Sequence, residues 1–107
     1  MNRMNTTNKA SAKTSGSKQN LEALYTAFLS LKNREECSAF MRDLCTKAEL
    51  EAFAERFAIA RLLIKDVSYR NAADETGAST TTVSRVSHWL HHGRGGYNTI
   101  ISRLHKK

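Results

Sequence analysis

Residues 68–92, SYRNAADETGASTTTVSRVSHWLHH, constrain the fold more than any other part of the chain. They read as two short helices on either side of Gly77. Ser68 is placed to cap the first, which ends near Thr76, and Ser79 to cap the second, which runs to about His92. Gly77 falls where the chain must turn, and glycine reaches a positive φ at no steric cost. Ala73, four residues earlier, is small enough for two helices to approach closely. Val83 and Val86 form an inward stripe on the second helix, extended by Leu90 with Trp89 beside it. The pattern is that of a helix-turn-helix over about residues 68–92.

The remaining positions of the second helix, Ser79, Thr80, Thr81, Ser84, Arg85 and His88, form its outward face. Threonine is a mediocre helix former, so this hydroxyl run does not serve stability. Short polar side chains let a helix sink into a major groove, donate to phosphates, touch base edges or offer a methyl to thymine. Charge placement points the same way. Residues 76–107 carry Arg85, Arg94, Arg103, Lys106, Lys107 and all four histidines, with no acid. Residues 20–75 hold all ten acidic groups against eight basic ones, within a net charge of +7. An acid-free basic block beside a polar helix is the footprint of a polyanion partner, here double-stranded DNA. Arg70 and Arg94 are candidates for phosphate contacts.

The rest of the chain reads as helix. Leu21, Leu24, Tyr25, Phe28 and Leu31 make one apolar stripe from Asn20. Asn33 and Glu36 resemble a capping box for a short helix presenting Cys37, Phe40, Met41 and Leu44. Thr46 and Glu49 form a better box, opening a long helix from Lys47 to about Lys65. Leu50, Phe53, Phe57, Ile59, Ala60, Leu62, Leu63 and Ile64 cover more than one face of it. A helix apolar over so much of its girth needs cover on several sides, from a second copy of the chain or from helices one, two and six of a monomeric core. Gly93, Gly95 and Gly96 make a loop, and a last helix runs from Tyr97 or Asn98 to about His105. The class is all-α with six helices, in keeping with a chain that has no proline.

Residues 1–18 lack apolar anchors and carry Arg3, Lys9, Lys13 and Lys18 without an acid, so a flexible basic arm is expected there. Residues 19–107 then form one helical dimerisation and DNA-binding domain. No apolar run reaches membrane-spanning length and the N-terminus has no signal-peptide core, which predicts a cytoplasmic protein, nucleoid-associated when on DNA. Cys37 and Cys45 fit a reducing compartment and read as two small buried hydrophobes, not as zinc ligands.

From TKAELEAFAERFAIARLLI through SYRNAADETGASTTTVSRV the chain resembles the Trp repressor family, and SHWLHHGRGGY is most like its YerC/YecD-type branch. The resemblance covers about residues 20–105. It implies an intertwined homodimer whose fourth and fifth helices read DNA as a transcriptional regulator, typically a repressor. It also implies a pocket in which two arginines sandwich the indole of L-tryptophan. Arg56 and Arg85 align with those arginines and Thr46 with a threonine of the site. The family's glycine after the second arginine is Val86 here, and its serine falls at Trp89, so the pocket is degenerate and no L-tryptophan corepressor is expected. Val86, Trp89 and Leu90 then either lock the reader against the core in the ligand's place or are simply core residues of the helix-turn-helix.

Other constellations carry less. His88, His91 and His92 lack a nearby carboxylate and read as surface charge near DNA, not as a metal site. The Gly93–Gly96 loop lacks the lysine and spacing of a phosphate-binding loop. No serine, histidine and acid come together, so no enzyme is expected. The rival readings are a protein-interaction module and a non-specific chromosome binder built on the same helix-turn-helix.

Overall fold

The computed structural model describes residues 10–105, with side-chain surroundings from residue 16 onward. It contains α1 (Ala10–Leu29), α2 (Arg34–Leu44), α3 (Lys47–Ile64), α4 (Tyr69–Thr76), α5 (Thr80–His92) and α6 (Gly96–His105), and no strand among the described residues. The helices fall into two compact units, Met1–Leu44 and Cys45–Lys107.

In the first unit the leading helix starts earlier than the apolar stripe suggested. Residues 10–18, expected within a flexible arm, belong to α1. Alanine and lysine are good helix formers, and a helix once nucleated extends at little cost into such a segment. Residues 1–9 of the expected arm lie outside the described residues. At the α1–α2 turn the Glu36 amide donates to Asn33 Oδ1 at 2.9 Å. The returning bond goes one residue further back than a capping box requires, from the Lys32 amide to Glu36 Oε1 at 3.0 Å. Phe28 meets Phe40 edge-on at 5.4 Å, pinning α2 to α1. No residue of α2 is buried. Cys37 is exposed and Cys45 of the second unit is only half-buried, which corrects the expectation of buried cysteines. Cys37 sits on a helix too thinly covered to bury a side chain.

The second unit holds the core. Its first helix opens with the expected box: the Glu49 amide donates to Thr46 Oγ1 at 3.0 Å, and the Thr46 amide to Glu49 Oε1 at 2.8 Å. Ile59 and Ala60 of α3, Ala72 and Ala73 of α4, Val83 and Val86 of α5, and Ile101 of α6 make one buried cluster. Phe57, Leu62, Leu63 and Ile64 pack around it, while Phe53 stays exposed. The alanines of α4 bring that short helix close to α3 and α5. Burying each larger aliphatic side chain contributes about 1.5–3 kcal/mol. Between α5 and α6, Asn98 Nδ2 donates to the carbonyl of Leu90 at 3.2 Å, tying the last helix to the end of the reader. A Cβ at Gly93 would run into the carbonyl oxygen of Trp89, so only glycine fits this exit from α5. No described helix is long and apolar enough to cross a membrane.

Candidate nucleic-acid interface

Two caps and a left-handed glycine set the angle between α4 and α5. Ser68 Oγ accepts from the Asn71 amide at 3.1 Å, and Ser79 Oγ from the Thr82 amide at 3.1 Å. Gly77 has φ 79°, and its amide closes α4 on the carbonyl of Ala73 at 2.8 Å. Thr76 braces the turn: its hydroxyl donates to the Ala72 carbonyl at 2.8 Å and accepts from the Ala78 amide at 3.2 Å. Val83, Val86 and Leu90 then face inward, all buried.

The opposite side of α5 is open. Thr80, Thr81, Ser84, Arg85 and His88, with Tyr69 from α4, line an open concavity of about 550 Å³ that contains no acid. The structure therefore brings together five of the six residues read as the outward face. Ser79 is exposed but outside this lining, because its hydroxyl is engaged as the cap and also donates to Thr82 Oγ1 at 3.1 Å. Arg70 is exposed on the first turn of α4. Arg94 stands apart, lining a concavity of about 450 Å³ with Phe57, Trp89, Tyr97 and Ile100.

Sequence reasoning missed Tyr69 and Ser87. The Tyr69 hydroxyl is hydrogen-bonded to Ser87 Oγ, and Ser87 is 4% exposed. The Ser87 carbonyl accepts from His91 Nδ1 at 2.8 Å. A small polar residue at a buried helical position needs a partner, and this one holds a groove-lining tyrosine. The signal was available: Ser87 lies four residues after Val83, on the inward stripe.

A second concavity, about 490 Å³, is lined by Ala52, Glu55, Arg56, Thr82, Arg85, Val86, Trp89 and Tyr97. Arg56, Arg85 and Val86 thus share one site. Thr46 is not part of its lining in a single chain, because it sits at the N-terminus of α3 with its hydroxyl spent on capping. Arg56 lies over the ring of Phe53 at 5.6 Å. Val86 is 3% exposed and packs into the core, as expected. Trp89 differs: it is 60% exposed and does not lock the reader. One helical step past the Val83–Val86–Leu90 stripe carries it out over the cleft between α3 and α6. Among the described residues no three His, Cys, Asp or Glu side chains gather into a metal-binding group.

Short helices crossing at a left-handed glycine, with an acid-free hydroxyl and arginine face on the second, define a helix-turn-helix regulator of the DNA-binding class. Residues 19–105 match the family described as Trp repressor protein, and the chain belongs to that family. It is 42% identical over 84 residues to the uncharacterized protein YerC of Bacillus subtilis strain 168, spanning 78% of this chain and 81% of that one. The crystal structure of a TrpR-like protein from Eubacterium eligens superposes with a TM-score of 0.78 at 41% identity, covering 80% of this chain and 89% of the other. A Trp repressor-type structure from Staphylococcus aureus gives 0.79 at 37% identity, covering 83% and 89%.

Proposed function

We propose that the protein is a sequence-specific transcriptional repressor that binds duplex DNA as a homodimer without L-tryptophan. The observation that carries the reading is the open, acid-free concavity of Tyr69, Thr80, Thr81, Ser84, Arg85 and His88 on α4 and α5. A helix with this face seats in the major groove, where Arg85 reaches a guanine or a phosphate and the threonines meet thymine methyls or base edges. Ser79, Arg70 and Arg94 hold the flanking backbone. The protein acts in the cytoplasm, on the nucleoid.

Two copies are required for a second reason. A single chain leaves Leu21, Tyr25 and Leu29 of α1 and Ile100 and Leu104 of α6 exposed. A second copy covers these stripes. Two-fold symmetry then sets the readers about one DNA turn, ~34 Å, apart on a near-palindromic site.

Independence from L-tryptophan rests on Val86 and Trp89, the larger residues that replace the family's glycine and serine. Glu55 lines the same concavity as the two arginines. Selection of bound duplexes from a random library at physiological salt, with and without L-tryptophan, tests the proposal. The expected result is one two-fold palindrome enriched equally in both. Enrichment only with L-tryptophan overturns the ligand-free reading, and no enrichment overturns specific DNA binding.

A further inference from the structure

The reader helix carries a second pattern, which shares His88 with the DNA-reading face. His88 and His92 are four residues apart, both exposed, with ring centroids 5.1 Å apart on one face of α5. This is the spacing by which two histidines of one helix hold zinc in HExxH-type sites, here with Trp89 in place of the glutamate. Two imidazoles bound through nitrogen at ~2.0–2.1 Å to one tetrahedral ion have their centroids roughly 5 Å apart. The unliganded rings therefore already stand at the chelating separation. His91 does not join them, since its Nδ1 is bonded to the Ser87 carbonyl at 2.8 Å.

We infer that His88 and His92 form a binding site for a late divalent transition-metal ion, and that the bound ion strengthens the protein's hold on DNA. Imidazole nitrogens suit copper(II), nickel(II) and zinc over magnesium or calcium. With two protein ligands the ion keeps open positions, so the site binds and does not by itself catalyse. Its placement gives it a consequence. His88 lines the same concavity as Arg85, Thr81 and Ser84. A dication there adds positive charge at the edge of the groove, and its open positions accept a phosphate oxygen or a guanine N7. This second step rests on the DNA-reading proposal; the site itself does not.

Trp89 provides the readout. It is the chain's single tryptophan, and its ring meets that of His88 edge-on at 5.0 Å. Copper(II) titration should quench its fluorescence saturably, at one ion per chain, in the micromolar range. His88→Gln and His92→Gln should each weaken this at least tenfold, while His91→Gln leaves it unchanged, with circular dichroism showing all four proteins equally helical. Quenching that His92→Gln does not alter, or that His91→Gln abolishes, overturns the site. For DNA, zinc should raise the wild type's affinity for its selected duplex about five- to tenfold. It should do nothing for His92→Gln, whose metal-free affinity stays that of the wild type. A metal-independent affinity beside intact quenching overturns the coupling alone. Absence of DNA binding in every condition beside intact quenching overturns the DNA reading and leaves the site standing.

Discussion

Tyr69, the first residue of α4, is hydrogen-bonded through its hydroxyl to the buried Ser87 of α5, eighteen residues further on. The bond spans the helix-turn-helix at the side facing its open concavity, and Tyr69 lines that concavity. One hydrogen bond thus satisfies a buried polar group and sets a side chain where DNA would lie.

Tyr69→Phe keeps the ring and removes the bond, leaving the Ser87 hydroxyl without its partner from α4. The expected loss is about 0.5–1.5 kcal/mol by urea denaturation, the net worth of one hydrogen bond, since Ser87 Oγ keeps His91 Nδ1 at 3.4 Å. Ser87→Ala in the Tyr69→Phe background should recover part of it, since both polar ends are then gone. A double-mutant cycle with no coupling between the two positions contradicts the assignment.

Gly77 holds φ 79°, a region that costs a residue with a Cβ about 1–2 kcal/mol. No atom lies within 4 Å of where that Cβ would stand, so backbone strain alone sets the penalty. Gly77→Ala should lower the melting temperature without abolishing the fold, and Gly77→Asn should lower it less, because asparagine tolerates the left-handed region better.

Thr46 caps the start of α3 through a reciprocal pair of hydrogen bonds with Glu49. Thr46→Ala should destabilise the protein by about 1 kcal/mol in chemical denaturation, the usual cost of a lost cap. Thr46→Ser should be close to neutral.

Arg85 is the charged member of the concavity, and removing it tests the reader directly. Arg85→Ala should weaken binding to the selected palindrome by about 1–3 kcal/mol and relax preference at the base pair it reads. A uniform loss across sequences, with a shallower salt slope, would place Arg85 on a phosphate instead.

Val86→Gly should loosen α5 against the core, seen as faster amide exchange in the reader. It should also open room beside Arg56 and Arg85. Calorimetry should find no L-tryptophan binding to the wild type, and measurable heat with the variant supports Val86 as the filler.

Much of this architecture could be read from local chemistry. The capping box at Thr46, the caps at Ser68 and Ser79 and the turn at Gly77 depend on residues within four positions of each other. Such bonds involve only near neighbours in sequence, so the residues themselves mark where α4 and α5 begin once packing holds the helices. The inward stripe of Val83, Val86 and Leu90 follows from helical period alone. Local signals failed where cover came from elsewhere. Residues 10–18 join α1 without an apolar stripe to announce them, Cys37 is exposed because α2 is barely covered, and Trp89 is turned outward by one helical step.

The sequence by itself determined the helical class, the helix-turn-helix and the hydroxyl and arginine face, because period, caps and one glycine specify them residue by residue. Only the tertiary structure decided that Tyr69 belongs to that face, that Ser87 holds it, and that Arg56 and Arg85 share a wall with Glu55. Those relationships join residues far apart in the chain, and their distances are set by how closely Ala72, Ala73 and Val83 let three helices pack.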